Sequence, residues 1–338
     1  MATLTHVRPS AALPGGEVEL TGTGLGPELS AEVSGVPALV TMARPTRVIL
    51  RIPEGVLPGN IIVHTPQGDS NGLPLNVAVP MAENLHPVAN PAVDRTGNVY
   101  STLSGARGQQ TPVSVFRIAP APEGVVHELR PFVRDILNAT GLAFGPDGLL
   151  YVSSRAEGVV YRIGSTGLAT VFAEGLGIAT GIAFDAAGDL YVGDRSGTIF
   201  KIRMAAVEDG VERAQETFVF ATLEPSISAY HLAFDSRGTL YCTGPTTASN
   251  QVIHTIDRDG NGTVFYRGLG RAQGMAFDTE DNLYVAASLA GERGIVRITP
   301  SLEASLVVAG SNLIGLCFLP GGRAALVTRD AVYEVSLG

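Results

Sequence analysis

Tryptophan is absent, lysine occurs once and cysteine twice in the 338 residues, and aromatic residues make up only 6 % of them. Each scarcity excludes something. The single lysine, Lys201, lies in the strand-like run Gly197-Thr-Ile-Phe-Lys-Ile-Arg203, which argues against a buried Schiff-base or general-base lysine; the other basic residues are arginines. Cys242 and Cys317 are too few for a disulfide scaffold or a cysteine-based zinc site. Both sit in apolar strand patterns (Leu-Tyr-Cys and Gly-Leu-Cys-Phe) and are read as buried thiols. Basic residues are also outnumbered, 23 against 32 acidic for a net charge of −9. A nucleic-acid partner, which needs a basic footprint, is therefore not expected. The N-terminus has no apolar signal core and no 18-residue apolar stretch follows, so no membrane span is expected. As written, the chain reads as cytoplasmic; a leader removed beforehand would make it secreted or periplasmic.

What is abundant is punctuation. With 41 glycines and 21 prolines and no long apolar runs, the composition points to many short strands joined by turns. One phrase recurs: a small residue, Phe or Val, Asp, two variable positions, Gly, then Leu-Tyr-Val. It reads Ala92-Val-Asp-Arg-Thr-Gly-Asn-Val-Tyr100, Ala143-Phe-Gly-Pro-Asp-Gly-Leu-Leu-Tyr151, Ala183-Phe-Asp-Ala-Ala-Gly-Asp-Leu-Tyr191, Ala233-Phe-Asp-Ser-Arg-Gly-Thr-Leu-Tyr241 and Ala276-Phe-Asp-Thr-Glu-Asp-Asn-Leu-Tyr284. A degenerate sixth copy begins at Cys317. Copies follow one another at 40 to 51 residues, with four strand-like runs per unit, the signature of β-propeller blades. In each copy Asp folds back on its own backbone and Gly takes positive φ, so the phrase is a hairpin turn between a blade's first two strands. Six copies predict six blades. Arg203 to Glu216 reads as a polar insertion between the third and fourth strands of blade three.

Residues 1–80 lack the phrase. Val18 and Leu20 alternate with Glu17, Glu19 and Thr21, and Val48, Leu50 and Ile52 alternate in the same way. About seven short strands separated by Gly and Pro turns predict a small immunoglobulin-like sandwich. The sixth repeat offers only three strands, ending at Ala331–Leu337, and an unpaired edge there would be a liability. Asn76–Met81 is expected to supply the missing outer strand, because Ala82-Glu-Asn-Leu-His-Pro87 aligns with the outer-strand exit of blade two, Ala173-Glu-Gly-Leu-Gly-Ile178.

The turn glycines and strand spacing of residues 2–79, from Arg8-Pro9 through Val18-Glu-Leu-Thr-Gly-Thr-Gly24 to Asn76-Val-Ala-Val79, resemble the IPT/TIG immunoglobulin-like family. That resemblance implies a β-sandwich for interaction or spacing and no chemistry. The Ala-Phe-Asp-x-x-Gly-x-Leu-Tyr-Val phrases of residues 82–338 resemble NHL-repeat proteins and the senescence-marker/gluconolactonase-like six-bladed propellers. The fold class is thus all-β, with an IPT/TIG-like sandwich over 1–80 and a six-bladed propeller over 81–338. The gluconolactonase-like resemblance implies a divalent metal held by Glu, Asn and Asp where inner strands enter the channel, polarising a lactone carbonyl. The corresponding positions here are Ala89, Thr140, Thr180 and Tyr230 or Gln273, none a carboxylate.

One propeller face gathers the loops entering each inner strand and those between second and third strands. A ligand site there is expected to be lined by Asn90, Thr140, Thr180, His231 and Gln273. Asp194 lies in one of the second loops, and Arg107, Arg155, Arg195 and Arg293 would form the rim. Such short polar residues also satisfy loop backbone whatever the function, and repeat inheritance alone could place Arg155 and Arg195. His86 and His231 are both expected near the channel mouth. Asp257-Arg-Asp-Gly-Asn-Gly262 reads as a plain hairpin turn. The alternative is a calcium site at Asp257, Asp259 and Asn261, although the twelfth position is Gly268 rather than Glu and strands flank it. No other cofactor is indicated. The functional expectation is a module binding a small molecule or protein at the channel mouth; the alternative is a lactonase-like hydrolase acting at the same place.

Overall fold

A computed structural model describes residues 1–338 apart from 123–124, 205, 209–210, 214, 248–250 and 338. The chain is all-β, with no helix among the described residues, and hence no helix there long and apolar enough to cross a membrane.

Each copy of the repeated phrase builds the first hairpin of a four-stranded antiparallel unit. Blade two pairs Ala139–Phe144, Leu150–Ser154, Val159–Ile163 and Ala169–Ala173 in sequence. Blade three repeats the order with Ala179–Phe184, Leu190–Asp194, Thr198–Arg203 and Glu216–Thr222. The innermost strands touch in succession, and that of blade six touches that of blade one, so six units close a ring. The phrase explains the closure. Its Asp accepts turn amides, as when Asp94 Oδ1 takes Thr96 N and Asn98 N, both at 2.9 Å. It also accepts the phrase's own Tyr hydroxyl, at 3.1 Å from Tyr100 and 3.2 Å from Tyr191 to Asp185. In blades one to four the Tyr ring then sits edge-on between a Phe of its own blade's outer strand and the Phe of the next blade's inner strand. Tyr151, for instance, meets Phe172 and Phe184, each with centroids 4.9 Å apart. Tyr284 of blade five meets Phe318 of blade six and has no outer-strand Phe. Edge-to-face aromatic pairs add about 0.5–1.5 kcal/mol beyond area burial, so the blades are joined by what the sequence repeats.

Blade six consists of Gly315–Leu319, Arg323–Val327 and Ala331–Ser336, and its outer strand is Val79–Glu83. The closing strand thus lies a few residues C-terminal to the expected Asn76–Met81. At the junction of blades six and one the aromatic pattern fails: Ala325 stands at the Tyr position and Val93 at the Phe position. The insertion in blade three contains a short hairpin, Ala206–Glu208 with Val211–Arg213.

Residues 1–77 follow their alternation. Val18, Leu20, Val48 and Leu50 turn inward and share one core with Val33, Ile61, Val63 and Leu75. Thr3–Arg8, Glu17–Thr23, Arg47–Arg51 and Val36–Arg44 pair in that order; Val36–Arg44 also pairs with Ser30–Val33, which leads to Gly59–Thr65 and Leu73–Val77. The N-terminal strands and the ring are joined by backbone pairing. Ala11–Ala12 runs parallel to Asn76–Val77 on one side and to Val308–Ala309 of blade five on the other. The hydrogen-bonded network is therefore continuous from the N-terminal sheets into the ring, and a two-residue strand is too short to show any alternation in sequence.

Candidate ligand site at the ring mouth

Where the inner strands converge, one level holds Asn90, Gly141, Gly181, His231, Gly274 and Gly315. A methyl group at Gly274 would lie 2.6 Å from both Gly315 Cα and Ile314 O, so backbones meet where no side chain fits. Asn90 bridges the closure of the ring: its Nδ2 donates to Met275 O at 2.7 Å and its Oδ1 accepts from Leu316 N at 3.2 Å. This level is a waist. Above it lies a mouth cavity of about 830 Å³, reached by Thr140, Thr180 and Gln273. Below it a smaller space of about 260 Å³ is lined by Asn90, His231 and mainly apolar residues.

The expected lining is therefore split, because successive residues of a strand point to different sides. Asn90 and His231 belong to the waist, not to the mouth. Thr140, Thr180 and Gln273 reach the mouth but are committed to backbone. Thr140 Oγ1 donates to Asn138 O at 2.9 Å, Thr180 Oγ1 to Gly193 O at 2.8 Å and Gln273 Nε2 to Leu313 O at 2.9 Å. Asp194 does not line the cavity. Its Oδ1 accepts Ile178 N at 2.8 Å and Ser196 N at 3.2 Å, and its Oδ2 takes the Ser196 hydroxyl, so it shapes the turn carrying Arg195. His86 lines the mouth with Nδ1 on Ser104 O, apart from His231.

His231 is 3 % exposed and pairs with Thr243 through the strand ladder, while its ring makes no hydrogen bond among the described residues. Burial alone lowers its pKa from 6.5 to about 4. Above pH 6.5 the ring is neutral in both folded and unfolded chains. Between 6.5 and 4 the unfolded chain takes up a proton that the folded one refuses, so stability falls as the pH is lowered, by on the order of 3 kcal/mol. His231→Gln should remove that component, seen as a smaller drop in the urea midpoint between pH 7 and pH 4.5. An unchanged drop would assign the loss to other groups.

Arginine is what the mouth does have. Arg107, Arg155, Arg195, Arg271, Arg293 and Arg329 all line it, and no Asp or Glu does among the described residues. None of the six forms an ion pair within the described residues; Arg155 reaches Gly105 O at 3.3 Å and Arg195 reaches Ser226 O at 3.2 Å. Burial and the neighbouring charge of Arg195 lower the pKa of Arg155. Arg155, Arg195 and Arg329 occupy equivalent blade positions. In blade five that position is Ser288, and the guanidinium comes from Arg293, its partner across the hairpin. In blade one the equivalent is Ser104, and Arg107 follows in the same loop. Inheritance of one repeat position cannot produce this set. Arg271 has φ of 45°, where the matching links hold Asn138 at 49° and Asn312 at 61°. Asparagine tolerates that left-handed region, whereas arginine there costs about 1 kcal/mol.

Asp257 caps a hairpin: Oδ1 accepts Asp259 N at 2.9 Å and Asn261 N at 2.8 Å, and Oδ2 accepts Asn261 Nδ2 at 3.1 Å. The same pattern holds Asp278 with Glu280 and Asn282, so the geometry is that of the repeated turn. Those hydrogen bonds lower the Asp257 pKa. No three His, Cys, Asp or Glu residues come together to hold a metal among the described residues. The donor set of the mouth does not fit the divalent ion that the gluconolactonase-like resemblance implies. Cys242 is buried and Cys317 half-buried, and burial pushes both thiols up, Cys317 to about 12.

No protein-family model matches the chain, and no curated protein matches it. Solved structures do. A Bacteroides thetaiotaomicron protein described as an auxiliary nutrient binding protein superposes over 99 % of this chain and 97 % of its own, with a TM-score of 0.57 at 10 % identity. A Bacteroides ovatus protein of the same description covers 99 % and 97 %, with a TM-score of 0.54 at 12 % identity. A protein provisionally described as a gluconolactonase covers 77 % of this chain and 92 % of its own, with a TM-score of 0.58 at 15 % identity. At these identities the likeness establishes the fold, an all-β propeller.

Proposed function

We propose that this propeller is a binding protein that captures an anionic small molecule at its mouth. One observation carries the reading: six guanidinium groups line a concave cavity in an acidic chain, with no carboxylate among the described lining residues to neutralise them. Planar guanidinium forks match carboxylate and phosphate oxygens. The nutrient-binding description of two fold neighbours is compatible with this role and supports it only through shared architecture. The lactonase alternative finds less support, since the mouth offers neither carboxylate nor metal-holding set among the described residues. In the same reading, residues 1–80 form an IPT/TIG-like sandwich that braces the propeller of residues 81–338 and takes no part in ligand contact.

The test is calorimetric titration of the full chain with inorganic phosphate and with citrate, beside Arg155→Ala and a panel of aldonolactones with added calcium, manganese and zinc. Arg155→Ala is expected to weaken anion binding about tenfold, the lower end for a charge-assisted contact because the side chain is partly exposed. Metal-dependent lactone turnover without anion binding would restore the hydrolase.

A further inference from the structure

Resting on the anion-binding reading, we propose that the mouth takes a compact, non-aromatic small molecule carrying three or more negative charges. Five blades or their connections deliver arginine to one cavity, by different local routes: directly after the second strand in blades two, three and six, across the hairpin in blade five, and from the loop of blade one. A single carboxylate engages one or two guanidinium forks and leaves the rest facing one another without a counter-charge. A ligand with several anionic groups engages them together. Arg271 adds to this set from a backbone conformation that arginine rarely adopts.

The neutral part of the ligand is constrained as well. No Phe or Tyr lines the mouth among the described residues, and the chain has no Trp. The flat faces left are the His86 imidazole, tied through Nδ1 to Ser104 O, and the guanidinium planes that anionic groups would themselves engage, so the described lining has no dedicated platform for a nucleobase or a sugar ring. The lining also includes Leu137, Ile178, Leu313 and Ile314, beside threonine and glutamine donors already bound to backbone. A short aliphatic or phosphoanhydride skeleton suits such walls. The volume of about 830 Å³ falls in the range of about 300–1,000 Å³ common to small-molecule sites. The shared chemistry is a polyanion, and its two sources, polycarboxylate and polyphosphate, are separated by experiment.

The experiment uses the full chain at low ionic strength and two ladders of probes. One runs propionate, succinate, tricarballylate and butane-1,2,3,4-tetracarboxylate; the other runs phosphate, pyrophosphate and tripolyphosphate. Affinity is expected to rise about tenfold with each added charge up to the third. It should fall steeply for the tri-anions when ionic strength goes from about 0.02 to about 0.2 M, and the steeper ladder names the source. Arg107→Gln and Arg293→Gln alter exposed side chains without hydrogen bonds to the fold among the described residues. Each is expected to weaken the tri-anion several-fold and succinate less. Equal affinity across a ladder would overturn the multi-charge inference while leaving anion binding intact. Absence of binding by every probe would defeat both. Binding of poly-glutamate with no tri-anion bound would overturn it in favour of an acidic polymer, and adenosine monophosphate bound as tightly as the best tri-anion would overturn the non-aromatic assignment.

Discussion

Tyr151→Ala is expected to lower the melting temperature of the full chain by roughly 4–10 °C, measured by scanning calorimetry. The ring is fully buried between Phe172 of its own blade and Phe184 of the next. Truncating a large buried aromatic to alanine costs about 3–5 kcal/mol, and at an unfolding entropy of about 2.1 cal/mol/K per residue a chain of this size loses about 1.5–2 °C per kcal/mol. Tyr151→Phe keeps the ring and loses only the hydroxyl bond to Asp147 at 3.1 Å. Asp147 retains Leu149 N at 3.0 Å and Arg162 at 2.8 Å, so this variant should lose about 1 kcal/mol. If Phe proved as damaging as Ala, the hydroxyl and not the inter-blade stack would be the joint.

A larger effect is expected from truncation. A chain starting at residue 85 loses Val79–Glu83, which leaves Ala331–Ser336 as an open edge with unpaired backbone groups and an uncovered core of Val327 and Val332. It should aggregate. A chain starting at residue 78 keeps the closing strand and loses Ala11–Ala12 beside Val308–Ala309; it should stay soluble, eluting as one species on size exclusion, at a lower melting temperature. Equal behaviour of the two would argue against closure by this strand.

The ring was legible in the sequence because the repeated Asp, Gly and Tyr are themselves the bonds and stacks that build it. The continuity with the N-terminal sheets was not, since Ala11–Ala12 carries no periodic signal. For the site, residue types and loops pointed to the right face, but the step from Thr140 or Thr180 at the mouth to Gly141 or Gly181 at the waist is one residue. That offset moved Asn90 and His231 out of the mouth. Arg329 had a signal, since Thr328-Arg329 matches Ser154-Arg155 and Asp194-Arg195 once the degenerate sixth repeat is aligned. Arg271 had none, because its position is defined by a backbone angle and its counterparts are asparagines.

The junction between blades six and one, where Ala325 and Val93 replace the aromatic pair, is expected to be where the ring opens first. Cooperative opening begins at the joint with the least buried aromatic contact. What holds this one is an aliphatic cluster of Val99 and Ile118 with Leu319, Ala325, Val327 and Val332, together with the Asn90 amide, the Leu85 N to Asp330 O bond at 2.9 Å and the borrowed outer strand. Hydrogen exchange is expected to reach Ala92–Val93 and Ala331–Ser336 before Ala139–Phe144; the reverse order would place the weak joint elsewhere. Because Asn90 also bridges the waist, each such opening would briefly remove the floor of the mouth. Arg107 and Arg329 stand on the two sides of that joint, so a ligand held by both would act as its latch.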